Sequence, residues 1–124
     1  YASSSARDTD WVAKLVDVFP DGYAMNAAEG ILRARYRDSW ENPTLLEPGD
    51  VYRFEVDLWS TGNCFQKGHR IRVEVTSSNF PHYDRNPNTS NPFGRDAELR
   101  KADQTVYHDA EHPSHILLPV IPDA

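Results

Sequence analysis

From Val51 to Trp59 the chain alternates without a break: Tyr52, Phe54, Val56 and Leu58 fall on one side, Arg53, Glu55 and Asp57 on the other. Successive side chains of an extended strand point to opposite faces, so a period of two marks a strand with one face buried and one in water. Arg70 to Thr76 repeats the design, with Ile71, Val73 and Val75 as the inward set and Arg70, Arg72, Glu74 and Thr76 outward. Gly30 to Arg37 does so again, setting Leu32, Ala34 and Tyr36 against Arg33, Arg35 and Arg37. Three such ribbons predict a mostly β fold.

Turn chemistry divides the rest. Trp11 to Val18 reads as a more buried strand that ends at Phe19-Pro20-Asp21-Gly22 and hairpins into Tyr23 to Asn26. Pro presets φ and Gly accepts φ > 0 there. Glu47-Pro48-Gly49-Asp50 and Gln66-Lys67-Gly68-His69 mark two further turns, each just before a strand. Arg95 to Ala102 is expected to form about two turns of helix, and Gln104 to His108 and Ser114 to Val120 to return to the sheets. Many short strands with Gly/Pro turns favour a jelly-roll β-sandwich, with a closed barrel as the alternative. A length of 124 residues suits one domain, residues 1–124.

Charge and composition narrow the partners. A net charge of −6 repels a phosphate backbone, so nucleic acid is not an expected partner. No apolar run approaches the roughly 18–20 residues that span a bilayer, so a soluble chain with no membrane partner is expected. Lone Cys64 has no internal disulfide partner and leaves the compartment open. Tyr1 to Ala6 carry no signal-peptide pattern, and the segment reads as cut from something longer.

Candidate chemistry is sparse. His108, His112 and His115 crowd into YHDAEHPSH with Asp109 and Glu111, but they sit at a strand mouth rather than one helical turn apart. A hydrogen-bonded turn is the simpler reading, and no metal or other cofactor is expected. No serine stands in G-x-S-x-G, the pattern of a nucleophile raised on a strained turn. Gly62-Asn63-Cys64-Phe65-Gln66 lacks the second Gly, and Cys64 reads as a small buried hydrophobe. The Arg33, Arg35, Arg37 row is expected to pair with Glu55, Asp57 or Glu74 across strands. Asp8-Thr9-Asp10 is a weak calcium pattern and reads as a turn leading into the Trp11 strand.

The segment from Ser77 to Gly94, SSNFPHYDRNPNTSNPFG, abandons every regular period. Loops longer than about 12–15 residues are uncommon in compact domains and usually functional or disordered. Phe80, Tyr83 and Phe93 offer surface to bury, while Pro81, Pro87 and Pro92 reduce the entropy lost on ordering. Asn79, Asn86, Asn88 and Asn91 can bond local backbone, and Asp84 and Arg85 are expected to pair with each other. A rigid, polar, aromatic-bearing loop suits an interdomain contact or one wall of a cleft.

DTDWVAKLVDVFPDG (8–22), GILRARYR (30–37), LEPGDVYRFEVDL (46–58), GHRIRVEVTSSNFPHYDRNPNT (68–89) and TVYHDAEHPSHILLPVIP (105–122) resemble, in that order, the C-terminal domain of the cocaine esterase and X-Pro dipeptidyl peptidase group of serine hydrolases. The group also takes in α-amino acid ester hydrolases and glutaryl-7-aminocephalosporanic acid acylases. The resemblance implies a galactose-binding-like jelly roll that follows an α/β-hydrolase domain holding the Ser, Asp and His of a triad. No catalytic residue carries over, since the triad precedes the matched region. By analogy the cleft-wall or interdomain candidates are Asn79, Phe80, His82, Tyr83, Asp84, Arg85, Asn86 and Asn88, joined by His112 and His115 from the 108–115 turn. Family domains begin further upstream, so open sheet edges and a dimer of the isolated fragment are expected. The rival class is a free-standing carbohydrate- or ligand-binding sandwich using Trp11, Trp40 and Trp59 as sugar platforms.

Overall fold

The computed structural model describes residues 1–92 and 94–122. Among them five strands follow in order: β1 (Ala2–Ser4), β2 (Asp10–Val18), β3 (Ala24–Arg33), β4 (Arg70–Thr76) and β5 (Gln104–Val106), with a 3₁₀ turn at Ala34–Tyr36. One antiparallel sheet runs β3-β2-β4 and a second pairs β1 with β5. The fold is all-β and two-layered, as the alternation requires.

The hairpin between β2 and β3 closes where the sequence places it. Gly22 N–H donates to Phe19 O at 3.0 Å, and Gly22 holds φ at 93°. The ladder then runs from Val18↔Ala24 to Asp10↔Arg33, broken between Leu15 and Val16 by a bulge. A bulge leaves one residue unpaired in the ladder. Here the Ala27 carbonyl accepts the Thr61 hydroxyl at 2.9 Å, tying the later loop to the sheet. The turns at 47–50 and 66–69 also form, with N–H···O bonds of 3.1 Å and 2.9 Å.

The core is small and lies between the layers. Ala2, Trp11, Ala34 and Leu46 are buried, and Tyr52, Phe54 and Val56 pack on them. Trp11 and Phe54 have ring centroids 5.5 Å apart. Trp11 is 4% exposed, so it is a core residue and not a sugar platform.

Several elements differ from their sequence expectation. Residues 51–59 alternate in burial as expected, yet only Tyr52 joins a ladder, exchanging two 2.9 Å backbone bonds with Ala2. The rest of this ribbon joins no ladder, and its backbone passes β3 so closely that a Cβ on Gly30 would meet Asp57 O at 1.9 Å. The strand expected over 30–37 is the end of a longer β3, and it turns into 3₁₀ geometry at Ala34 because Asp8 holds the Arg35 N–H. No helix forms over 95–102; Arg100 N–H goes instead to Pro87 O at 2.9 Å, which fastens this stretch to the loop. The 114–120 run joins neither sheet, and Leu117 and Val120 are exposed.

The inward set of β4 is also reversed in exposure. Register puts Val75, Val73 and Ile71 opposite Ala13, Leu15 and Asp17, on the face that carries Trp11 and Gly30. The 51–59 ribbon covers that face over β3, at the far edge of the sheet from β4. β4 therefore has the right pattern and, among the described residues, no cover.

Candidate functional site

The opposite face of the β3-β2-β4 sheet carries Asp10 and Lys14 from β2, with Arg33 and Glu29 from β3. The 77–94 loop lies across it, over Val12, which is fully buried. Two polar anchors hold the loop down. At the first, Lys14 Nζ donates to Asn79 Oδ1 at 2.9 Å, Asn79 Nδ2 donates to Glu29 Oε2 at 3.3 Å, and His82 Nε2 lies 3.1 Å from Glu29 Oε1. Tyr83 N–H closes the turn onto Asn79 O at 3.2 Å, and the rings of His82 and Tyr83 meet edge-on at 4.6 Å.

The second anchor is a buried ionic network. Arg33 donates through Nε and Nη2 to the two oxygens of Asp10 at 2.8 and 2.9 Å. Arg35 donates from its backbone N–H and from Nε to Asp8 at 3.0 and 2.8 Å. Asn86 Nδ2 bridges the two carboxylates, at 3.0 Å from Asp8 Oδ2 and 2.9 Å from Asp10 Oδ1. Both aspartates are 1% exposed, so every lone pair needs such a donor. Burial opposes the Arg33 charge, but the hydrogen bonds and charge of Asp10, with Asp8 beside it, outweigh burial and raise its pKa. Arg35 Nη2 then reaches Asn91 O at 3.0 Å, and Asn86 Oδ1 accepts the Asn88 N–H at 2.9 Å. The space left among these groups is about 10 Å³, room for about one water molecule and no ligand.

Asp96 staples the end of the loop. Its carboxyl is held below the ordinary aspartate range first by the Thr89 hydroxyl, then by the Glu98 N–H and the Asn91 amide. A carboxyl depressed by folding stabilises above its unfolded pKa and loses that contribution as pH falls through the folded value. The staple therefore persists from neutral to weakly acid solution. The Glu98 amide proton, followed by NMR from about pH 6 to 2, is expected to shift with a midpoint below the unfolded aspartate value of about 3.9. A midpoint above that value would contradict the geometry.

Between the anchors the tip projects outward. Phe80 is 62% exposed, Asp84 and Arg85 are exposed, and the Arg85 guanidinium lies 5.5 Å over the Phe80 ring. Arg85 thus stacks on an aromatic face rather than pairing with Asp84, because a solvated ion pair gains little where a ring offers stacking. The expectation that Phe80 buries itself is reversed, and Phe93 lies outside the described residues. Asn88 adopts φ 59° and donates to Arg100 O at 3.0 Å.

His112 and His115 do not join this group. His112 packs against the rings of Tyr1 and Tyr107 at 5.6 and 5.4 Å, and its backbone N–H donates to Asp109 Oδ1 at 2.8 Å. His115 Nδ1 lies 2.7 Å from Pro113 O. His108 pairs with Pro113 in an isolated bridge. Among the described residues no three His, Cys, Asp or Glu side chains converge as a metal site would require. Cys64 is exposed, not buried, and accepts from Gln66 Nε2 at 3.3 Å.

Sequence reading missed the residues beneath the loop: Asp8, Asp10, Lys14 and Glu29. Asp8 and Asp10 are not a simple turn, and Arg33 and Arg35 pair with them rather than with Glu55, Asp57 or Glu74. A signal was present. Two acids spaced by two residues precede the hairpin and two arginines spaced by two follow it, and the hairpin register sets Asp10 opposite Arg33.

Comparison with known proteins agrees with this architecture. The chain is 52% identical over 123 residues to the cocaine esterase of Rhodococcus sp. (strain MB1 Bresler), covering 98% of this chain and 21% of that protein. An α-amino acid ester hydrolase structure superposes with a TM-score of 0.80 at 40% identity, over 90% of this chain and 20% of that one. An aminopeptidase from a marine sediment Thaumarchaeota archaeon gives a TM-score of 0.84 at 40% identity, with the same coverage. The chain thus spans about a fifth of the length of these relatives. Residues 1–117 match the model of a domain described as non-catalytic: the chain belongs to the X-Pro dipeptidyl-peptidase C-terminal non-catalytic domain family.

Proposed function

We propose that this chain is the accessory sandwich of a serine hydrolase of esters or amides, supplying no reactive serine and offering the tip of its 79–88 loop to the catalytic module. The observation that carries this reading is the division of labour within the loop. Asn79 and Asn86 face down onto charged partners, while Phe80, Asp84 and Arg85 face out with a large apolar ring left in water, and His82 reaches Glu29 from the exposed rim. A loop fixed underneath, with an aromatic ring and charged groups displayed on top, suits a rigid contact with another module, because ordering costs little at the moment of docking. His112, packed beside Tyr1 and Tyr107, forms a second patch, with His115 three residues on. In isolation the chain self-associates through the sheet edges that its own strands leave open.

The test uses the full-length enzyme that carries this segment. In the isolated domain, Phe80→Ala with Arg85→Ala is expected to change stability by less than about 0.5 kcal/mol, as exposed substitutions do. In the full-length enzyme the same pair is expected to cost about 1–2 kcal/mol of domain coupling. It would be read as a lower Tm or an altered ratio of kcat/KM between two ester substrates. A full-length enzyme indifferent to both substitutions would remove the tip from the interface.

A further inference from the structure

Three chain segments meet at a surface cavity of about 130 Å³, against about 10 Å³ in the ionic network under the loop. Ser5 and Arg7 come from the β1–β2 connection, Asn88 and Ser90 from the end of the long loop, and Arg100 and Lys101 from the stretch that follows it. The wall therefore carries three cations and, among the described residues, no Asp or Glu, in a chain whose net charge is −6. A cleft lined by one sign of charge focuses its field and concentrates ions of the other sign.

The backbone beneath each cation is fixed. Ser5 N–H donates to Asp103 O at 2.9 Å, and Ser5 Oγ accepts the Asp103 N–H at 2.9 Å. Arg7 O accepts the Leu46 N–H at 2.8 Å. Arg100 is clasped on both sides, its N–H by Pro87 O at 2.9 Å and its carbonyl by Asn88 Nδ2 at 3.0 Å, with Asn88 at φ 59°. A site built on fixed backbone loses little freedom on binding. The charged heads stay available. Among the described residues Lys101 Nζ has no hydrogen-bond or ion-pair partner. Arg7 comes no closer to Glu47 than 3.9 Å, and Arg100 meets Glu98 through Nε at 3.0 Å. All four of those side chains are more than half exposed, so water screens both pairs and neither holds its arginine strongly.

We propose that this cavity binds a small tetrahedral oxyanion of the phosphate or sulfate type, held by Arg7, Arg100 and Lys101 with the Ser90 hydroxyl beside them. Donors from three segments approach from several directions, which suits four oxygens around one centre better than the two coplanar oxygens of a carboxylate. A guanidinium fork meets such an anion with two parallel N–H···O bonds, and the ammonium adds a point charge. The bound anion ties the β1–β2 connection to the far end of the 77–94 loop. The site lies apart from the exposed tip of that loop, so it stands or falls independently of docking there.

Isothermal titration calorimetry of the full-length enzyme that carries this segment tests the site, with inorganic phosphate as the probe at fixed ionic strength. A dissociation constant of about 1 mM or tighter is expected, with sulfate competing and acetate binding at least about tenfold more weakly. Lys101→Gln is expected to weaken phosphate binding about tenfold, and Lys101→Gln with Arg7→Gln about a hundredfold. Ser90→Asp sets a carboxylate in the wall and is expected to abolish binding. Lys67→Gln removes an exposed cation from the 66–69 turn and is expected to leave the affinity unchanged. All four positions are exposed, and circular dichroism checks that each variant folds. Hydrogen exchange locates the effect: at about ten times the dissociation constant, phosphate is expected to slow the amides of Asn88 and Arg100 about tenfold in the parent and not in the Ser90→Asp enzyme. Phosphate that binds the doubly substituted or the Ser90→Asp enzyme as tightly as the parent, acetate that matches phosphate, or no binding up to about 10 mM overturns the site.

Discussion

Arg35→Met is expected to destabilise the isolated domain by about 3–5 kcal/mol, the cost of leaving one member of a buried ion pair without its partner. Asp8 is 1% exposed and receives three of its donors from Arg35 N–H, Arg35 Nε and Asn86 Nδ2. Without the guanidinium, one bridging amide and one backbone N–H remain to hold a full negative charge away from water. Arg35 also clasps the Asn91 carbonyl, so the far end of the loop is released together with the charge. Against a typical total of about 5–15 kcal/mol for a domain, this loss brings the chain near its unfolding threshold. Urea denaturation measures it. Asp8→Leu with Arg35→Met separates the two contributions: a double variant clearly more stable than Arg35→Met alone assigns most of the loss to the orphaned charge. A single variant within about 1 kcal/mol of the parent domain would show that the network is ornamental.

Gly30→Ala is expected to be nearly as damaging, though it adds a single carbon. The new Cβ would lie 1.9 Å from the Asp57 carbonyl oxygen and 2.9 Å from its carbon, and neither belongs to a side chain that can swing away. Either β3 or the 51–59 ribbon has to retreat, at or above the top of the roughly 1–3 kcal/mol range for overpacking. The ribbon is the weaker party, because Tyr52 alone ties it into a ladder. Its displacement draws Phe54 off Trp11, so the indole should report the change directly. Expected are a lower urea midpoint and a red-shifted tryptophan emission. An unchanged spectrum and midpoint would mean that the two layers do not approach as closely as this geometry requires.

These two positions also mark how far the amino-acid sequence could be read. Gly30 was visible only as the first residue of an alternating run, with nothing local to announce that another backbone passes over it. The arginines were visible as a row needing anions, but the nearest acids along neighbouring ribbons were the wrong ones. Their partners Asp8 and Asp10 lie across a hairpin whose bulge between Leu15 and Val16 had no signature in composition. That the loop is ordered without regular structure and held by its asparagines was legible from its length and its residues. Which of its side chains point down and which point out was not, because that depends on what lies beneath it.

Local chemistry alone determined the all-β class, the position of β2 and β4, the three Gly-bearing turns and the exclusion of a nucleophile motif. Side-chain period, proline φ and glycine freedom act over a few residues and need no context. Tertiary structure alone decided that the 51–59 ribbon runs beside the sheets with one ladder contact, that the β4 row stays exposed, and that Asp8 and Asp10 lie under Asn86. Those outcomes follow from which layer covers which face and where buried charge finds its donors, and both are set by segments far apart in the chain.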